Sequence, residues 1–263
     1  MKPFIVDRGP LRFLHFDLET VQSVMHKDDP DALCLAYTRR MMSGLLFVPG
    51  PRRILLLGLG GGSLAKFCHR HLPRSAITVV EIDPAVIALR REFRVPADGR
   101  RFRVVFQDAI GYVATRTACA DAIFVDTCTG NGMAPSLAAP DTYLHLKRCL
   151  TRHGVLVINA CGTARGIASH VGRVRGVFGE HVYTLPVPEG GNLIILATKA
   201  SLRQLGARRL QSRADALQSL LGLPFRRYLG VLRPGIAGRA GSSSPRTSKQ
   251  QAPSRSSPRP GSV

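Results

Sequence analysis

Between residues 54 and 198 the sequence alternates short runs of Ile, Leu and Val with stretches of helical periodicity. The apolar runs are ILLLG from residue 54, ITVVE from 77, FRVVF from 102, AIFVD from 122, VLVIN from 155, HVYTL from 181 and NLIILAT from 192. The stretches between them predict helices over 64–72, 84–93, 110–117, 142–150 and 167–178. Strands made almost wholly of branched apolar residues are buried on both faces, which is typical of a parallel sheet covered by helices. The alternation therefore predicts an α/β fold with a doubly wound, mostly parallel sheet of seven strands.

The segments that flank this alternation predict an N-terminal strand and helix and a C-terminal helix. Residues 12–22 have an extended composition, and residues 28–30 (Asp-Asp-Pro) combine a carboxylate cap with a proline, which is a helix-start signal. One face of the resulting helix would carry Leu33, Tyr37, Met41 and Leu45. We expect this helix to end near residue 47, and a last helix to span 202–221 with one apolar stripe.

Changes of composition divide the chain into four parts. These are an N-terminal extension over 1–50, a nucleoside-binding α/β domain over 51–200, a C-terminal helix packed on that domain over 201–233, and a basic tail over 234–263. The tail offers too little apolar surface to offset an ordering entropy of about 1–2 kcal/mol per residue, so we expect disorder. Its charge could hold nucleic acid, but it has no aromatic residue to stack on bases. A solvated terminus without a specific partner is the simpler expectation.

The composition of the chain limits its cellular location and the kinds of site it can contain. The chain has 37 Lys and Arg against 17 Asp and Glu, a net charge of +20, and 44% hydrophobic residues. No run approaches the roughly 18 apolar residues of a membrane span, and the start lacks the apolar core of a signal peptide, so we expect a soluble, cytoplasmic protein. The six cysteines lie far apart, without a histidine cluster at metal-ligand spacing. We therefore expect no metal site, and thiols that are reduced and mostly packed in the core.

A glycine-rich turn follows the first predicted parallel strand. Residues 58–63 read Gly-Leu-Gly-Gly-Gly-Ser and open a helix, so the backbone can turn sharply and bring its N–H groups close to a ligand. Ser63 replaces the third glycine of the dinucleotide pattern G-x-G-x-x-G, which weakens a NAD interpretation, and no Gly-Lys-Ser or Gly-Lys-Thr follows for a phosphate loop.

Carboxylates end three of the predicted strands. Glu81 lies 23 residues after Gly58, where a carboxylate can accept hydrogen bonds from both hydroxyls of a ribose. Asp108 with Ala109 fits the amino edge of an adenine, because the small residue lets the base lie close. Asp126 leaves a buried apolar strand at the switch region, and such a carboxylate is costly unless it is solvated, paired or used. We therefore expect Asp126 to be functional.

Two neighbouring residues have simpler interpretations. Asp83 before Pro84 is a helix cap. Cys128 could reach the cavity of Asp126, but as a nucleophile it lacks an identifiable base.

Together these residues resemble the polyamine aminopropyltransferases, the family of spermidine synthase. The resemblance runs from about residue 12 to residue 199 and is strongest over 54–126. It rests on the strand and glutamine over 14–22, the tyrosine helix with Tyr37-Thr38-Arg39-Arg40-Met41, the glycine turn, Val80-Glu81-Ile82-Asp83, Asp108-Ala109, Asp126 and the late Tyr183-Thr184-Leu185-Pro186. It implies the fold of class I S-adenosylmethionine-dependent methyltransferases.

The resemblance also implies a reaction and its site. Decarboxylated S-adenosylmethionine would be the co-substrate, with no permanently bound cofactor, a polyamine such as putrescine would be the acceptor, and the protein would form a homodimer. The donor would be bound by Gly58, Gly60, Gly61, Glu81, Ile82, Asp108 and Ala109. Asp126 would accept the proton, and the acceptor amine would be lined by Gln22, Tyr37, Asp126 and Thr129.

Three groups that hold cationic ligands in the family are missing here. Gly61 stands where the glycine loop of the family carries an aspartate, Thr129 replaces the second aspartate of the catalytic motif, and no tyrosine follows Leu185-Pro186. Candidates to stand in for the missing acids are Asp17, Asp31, Asp141 and Glu180.

These departures leave two other interpretations open. A methyltransferase-like enzyme could use intact S-adenosylmethionine, because a loop without its aspartate no longer repels a donor carboxylate. The chain could also be a non-catalytic, nucleoside-binding homologue. Residues 1–202 carry a net charge of +9, which counts against a polycationic substrate because the overall field would slow its approach.

Overall fold

The computed structural model describes residues 2–18, 20–129, 132–139, 141–199 and 206–235. Its N-terminal part is an antiparallel sheet of three strands in the order β1-β2-β3. The strands are β1 (Phe4–Arg8), β2 (Leu11–His15) and β3 (Val21–His26). The extended segment predicted over 12–22 is thus part of a hairpin. Arg12 of β2 pairs with Asp7 of β1 and ties the hairpin to the main domain by bonds to Glu92.

The first helix is shorter than predicted. α1 (Ala36–Met41) is followed by a 3-10 turn (Met42–Leu46), and the predicted start at residues 28–30 is wrong. The carbonyls of Leu33 and Cys34 accept hydrogen bonds from the Arg39 guanidinium at 2.7 and 2.6 Å, so this segment runs outside the helix. A side chain of α1 itself therefore binds these carbonyls, which competes with the local cap signal.

The main sheet has eight strands within the described residues, one more than predicted, in the order β13-β11-β12-β10-β7-β4-β5-β6. The strands are β4 (Arg53–Leu57), β5 (Ala76–Glu81), β6 (Phe102–Phe106), β7 (Ala120–Val125), β10 (Leu150–Ala160), β11 (Val182–Pro186), β12 (Leu193–Thr198) and β13 (Arg233–Pro234). A small hairpin of β8 (Cys128–Thr129) and β9 (Gly132–Met133) lies outside this sheet. Five neighbouring strands, β6, β5, β4, β7 and β10, are parallel, and β12, β11 and β13 continue the sheet antiparallel.

Helices cover both faces of this sheet, as the buried apolar strands require. They are α2 (Ser63–His71), α3 (Pro84–Ala88), α4 (Ala109–Ala114), α5 (Thr142–Cys149), α6 (Ala164–Phe178), α7 (Ala207–Leu221) and α8 (Phe225–Val231). Alternate residues of β4 enter different cores: Ile54 and Leu56 pack with α2 and α7, whereas Leu55 and Leu57 pack with α4, α5 and α6. The doubly wound prediction is confirmed.

The C-terminal part differs from its prediction at both ends. The helix predicted over 202–221 begins at Ala207, after Gly206 at its N-cap, while residues 200–205 lie outside the described residues. α8 was not predicted, and Pro234 pairs with Tyr183 in the sheet. The disordered tail was predicted over 234–263: Pro234 is instead part of β13, and residues 236–263 lie outside the described residues. No helix in the described part of the chain is long and apolar enough to cross a membrane.

Candidate active site

The order of the parallel strands reverses between β4 and β7, and the candidate site lies at their carboxyl ends. Gly58 follows β4 and donates its N–H to Val80 O (2.9 Å), while Asp126 follows β7 and donates its N–H to Leu57 O (2.9 Å). Gly58 has φ +98°, and a Cβ there would lie 2.2 Å from Asp126 O. The glycine therefore allows the two strand ends to touch.

Glu81 holds the glycine turn from the other side. Its Oε2 accepts the N–H of Leu59 (2.8 Å) and its Oε1 accepts the N–H of Asp83 (2.9 Å). A carboxylate has about four lone-pair positions, so two remain for hydroxyl donors. Because β4 lies between β5 and β7, the carboxylates of Glu81 and Asp126 flank the same turn.

The residues expected on the adenine side lie beyond Glu81. Ile82 is 61% exposed, which leaves an apolar surface next to the carboxylate. Asp108 is exposed and caps α4 by accepting the N–H of Gly111 (2.7 Å), with Ala109 as the first residue of that helix. Asp83 caps α3 by accepting the N–H of Ala85 (2.8 Å), as predicted.

Asp126 is held by two side-chain donors. Tyr37 of α1 donates its hydroxyl to Oδ2 (3.2 Å), and Asn159 at the end of β10 donates Nδ2 to Oδ1 (2.9 Å). Burial raises the pKa of Asp126 above its ordinary value, and these two bonds partly offset that rise. Burial, with the Asp126 charge beside it, raises the pKa of Tyr37 well above its ordinary value.

The amide behind Asp126 was missed in the sequence. Asn159 is 1% exposed, and its Oδ1 accepts Nδ2 of Asn192 at 2.7 Å. The sequence signal that could have found it is the asparagine at the end of the run VLVIN. In the structure β10 pairs in parallel with β7, and Ile158 stands opposite Val125. The next residues on the two strands are therefore Asn159 and Asp126.

The turn at Gly61 has no room for a side chain. A Cβ there would lie 2.6 Å from Ser23 Oγ and 2.9 Å from Phe93 Cδ1. Ser23 belongs to β3 and its hydroxyl lies 3.3 Å from that of Ser63 at the start of α2. Gln22, the neighbour of Ser23 on β3, is partly buried. The N-terminal sheet therefore closes over the glycine turn at Gly61.

Two cysteines beside the site form a disulfide, contrary to the prediction that the thiols are reduced. Cys128 and Cys161 are bonded, with Cα atoms 6.2 Å apart. Their separation of 33 residues conceals that each follows the carboxyl end of one of two neighbouring strands, β7 and β10. Cys161 is therefore not simply a thiol packed in the core, and Cys128 has no free thiol that could act as a nucleophile. The cysteines at 34, 68, 119 and 149 are free.

Thr129 and three of the candidate stand-in acids, Asp17, Asp31 and Asp141, were also expected near the acceptor. The backbone of Thr129 pairs with Gly132 in the small hairpin, and Gly130 lies outside the described residues. Two of the candidate stand-in acids line other cavities: Asp31 lines one of about 420 Å³, and Asp141 lines another of about 560 Å³ with several basic residues. Asp17 Oδ1 accepts the N–H of Thr20 (2.6 Å).

Solved structures of similar shape define the class of fold. A probable spermidine synthase from Corynebacterium glutamicum aligns with a TM-score of 0.71 over 95% of both chains at 22% identity. Human methyltransferase-like protein 13, solved in complex with SAH, aligns with a TM-score of 0.65 over 72% of this chain and 93% of that one, at 27% identity. The fold is that of class I methyltransferases and spermidine synthases, as the sequence predicted.

Sequence comparison gives the family. Residues 35–201, more than half of the chain, match the Spermine/spermidine synthase domain. The polyamine aminopropyltransferase of Chromobacterium violaceum is 36% identical over 230 residues, which cover 87% of this chain and 88% of the relative. The chain therefore belongs to the spermine/spermidine synthase family, and the predicted resemblance is confirmed.

Proposed function

We propose that the protein transfers the aminopropyl group of decarboxylated S-adenosylmethionine to an amine of a polyamine such as putrescine. The observation that carries this proposal is the pair of Asp126 and Tyr37 at the switch point, across the glycine turn from Glu81. A ligand that spans the turn would have its ribose on Glu81 and its sulfonium near Asp126.

The donor would bind through the residues expected from the sequence. Glu81 accepts the ribose hydroxyls, and Ile82 with Asp108 and Ala109 borders the adenine. The backbone of the turn, with Gly58, Gly60 and Gly61, lies against the sulfonium side. Gln22, Tyr37 and Asp126 would line the acceptor amine, while Thr129, expected there from the sequence, is described by its backbone only. The donor is consumed in the reaction, so no resident cofactor is required.

The chemistry needs a base more than an acid. The amine nitrogen forms a bond to the propyl carbon next to sulfur, the C–S bond breaks, and its electron pair returns to sulfur as neutral methylthioadenosine leaves. An alkylamine with a pKa near 10.4 is mostly protonated, and its neutral form costs about 4.6 kcal/mol at pH 7. Asp126 accepts the proton of the amine, and Tyr37 helps to fix its orientation.

A second candidate is methyl transfer from intact S-adenosylmethionine. The crowded Gly61 favours it, since no carboxylate can stand there to repel the carboxylate of the intact donor. The likeness to human methyltransferase-like protein 13, solved with SAH, supports the same candidate. We rank it second because Tyr37 and Asp126 offer a base to an amine acceptor.

Product analysis with each donor separates these candidates. The purified protein is incubated with putrescine and either decarboxylated or intact S-adenosylmethionine, and the products are identified by mass spectrometry. We expect spermidine and methylthioadenosine from the decarboxylated donor. A methylated acceptor and S-adenosylhomocysteine from the intact donor, without spermidine from the other, would reject aminopropyl transfer. The molar mass of the purified protein, measured by light scattering, tests the expected homodimer.

A further inference from the structure

Two amide side chains, the buried Asn159 and the partly buried Asn192, form a chain that ends on the carboxylate of Asp126. Asn192 Nδ2 donates to Asn159 Oδ1 at 2.7 Å, and Asn159 Nδ2 donates to Asp126 Oδ1 at 2.9 Å. We propose that Asn159, oriented by Asn192, is a positioning residue that keeps Asp126 ionised and aimed at the acceptor amine. This inference rests on the proposed function for its role in the reaction.

The direction of the chain follows from chemistry. An ionised carboxylate only accepts hydrogen bonds, so the atom of Asn159 that faces Asp126 must be its NH₂ group. The amide oxygen of Asn159 then faces Asn192, which must offer its own NH₂ group. Without Asn192, Oδ1 of Asn159 would lose its donor, and the amide would be less firmly fixed with its NH₂ group on the carboxylate.

Burial separates the role of Asn159 from that of Tyr37. Asn159 is 1% exposed, so it contacts Asp126 from within the protein and acts on the substrate only through that carboxylate. Tyr37 occupies the other oxygen, Oδ2, from the partly exposed helix α1. Each oxygen of Asp126 thus has one neutral donor, and the Asn159 donor lies in the protein interior.

The chain is anchored in the loop between β11 and β12. Val187 donates its N–H to the carbonyl of Asn192 (2.9 Å), which closes this loop. Glu189 in the loop pairs with Arg40 of α1 at 3.0 Å, three residues after Tyr37. The loop is the segment where the resemblance expected a tyrosine after Leu185-Pro186. In this chain the loop is connected to Asp126 by the hydrogen bonds from Asn192 to Asn159 and from Asn159 to Asp126.

The electrostatic surroundings of Asp126 make these amides important. Burial disfavours its ionised form, and the offsetting groups are neutral: Tyr37 from α1 and Asn159 from β10. No Lys, Arg or His in the described ranges pairs with this carboxylate at salt-bridge distance. Loss of a neutral donor should therefore move the titration of Asp126 directly toward higher pH.

The test compares Asn159→Leu and Asn192→Ala with the matched control Ser43→Ala, whose buried hydroxyl has no hydrogen-bond partner. We measure kcat/KM for aminopropyl transfer against pH, with the KM of the donor. We expect the acidic limb of the pH profile of kcat/KM to shift to higher pH, by about one pH unit in Asn159→Leu and by less in Asn192→Ala. Donor KM should change less than about twofold, and the control should keep the wild-type profile.

A titration without turnover keeps this inference separate from the proposed function. The carboxyl carbon of Asp126 is followed by ¹³C NMR in the full chain, and Asp126→Asn assigns its signal. An upward move of this titration in both variants supports the inference even if the protein transfers no aminopropyl group. An unchanged titration in Asn192→Ala, or activity lost equally at every pH, would overturn it.

Discussion

At the scale of single residues, Glu81 has two structural bonds and a proposed ligand. It holds the N–H groups of Leu59 and Asp83 at 2.8 and 2.9 Å, which places it beside the glycine turn. We expect Glu81→Ala to weaken donor binding by roughly 1.5–3 kcal/mol, because a charge-assisted hydrogen bond to the ribose is lost. Calorimetric titration with the donor measures this change.

A carboxylate two positions away provides the control for Glu81. Asp83 caps α3 through Ala85, so Asp83→Asn should lower stability by about 1 kcal/mol or less and leave donor affinity unchanged. Equal donor affinity in Glu81→Ala and in the wild type would remove Glu81 from the ligand site.

Gly61 yields a prediction about packing. Because a Cβ would lie 2.6 Å from Ser23 Oγ and 2.9 Å from Phe93 Cδ1, we expect Gly61→Ala to destabilise the protein by about 1–3 kcal/mol. Gly172 in α6 has open space around its Cα, so Gly172→Ala should be neutral or stabilising by about 0.5–1 kcal/mol. Urea denaturation compares the two. Wild-type stability in Gly61→Ala would show that β3 does not close over the turn.

At the scale of elements, the disulfide joins the segments that follow β7 and β10. Gly132 and Gly162 also pack closely there, since a Cβ on Gly162 would lie 3.1 Å from Gly132 Cα. Reduction of Cys128–Cys161, or its replacement by two serines, should cost about 2–4 kcal/mol of stability. Denaturation with and without reductant tests this. The control is Cys34→Ser, which removes a cysteine that forms no disulfide. Identical midpoints in both conditions would contradict a structural bond.

Sequence patterns located the elements well where burial dictates them. The seven apolar runs lie in or overlap β4 to β7 and β10 to β12, because a strand between two helix layers must be apolar on both faces. The helix-start signal at residues 28–30 failed where a side chain competes for the backbone carbonyls that follow it. Arg39 binds the carbonyls of Leu33 and Cys34, which the predicted helix would have used for its own backbone hydrogen bonds.

The candidate site was predictable in the same uneven way. Carboxylates at strand ends, such as Glu81 and Asp126, stand out in the sequence because a charge rarely follows a buried strand without a reason. The disulfide and the pairing of Asn159 with Asp126 depend on which strands are neighbours. That order is a property of topology, and a single sequence does not state it.

At the scale of the whole molecule, the net charge of +20 opposes the approach of a polycation. If the acceptor is a polyamine, screening should help: we expect kcat/KM for putrescine to rise roughly twofold or more between about 10 and 150 mM ionic strength. Binding of the neutral product methylthioadenosine serves as the control and should not change. A kcat/KM that falls with salt would show that local acidic groups dominate the approach of the acceptor.

The central claim is that one adenosyl sulfonium spans the turn between Glu81 and Asp126, with the latter as the base. The most direct measurement pairs donor affinity with turnover in Asp126→Asn. We predict donor binding within about threefold of wild type and a loss of aminopropyl transfer of at least about 100-fold, because the base is removed while the ribose contacts remain. Undiminished turnover in Asp126→Asn would contradict the account.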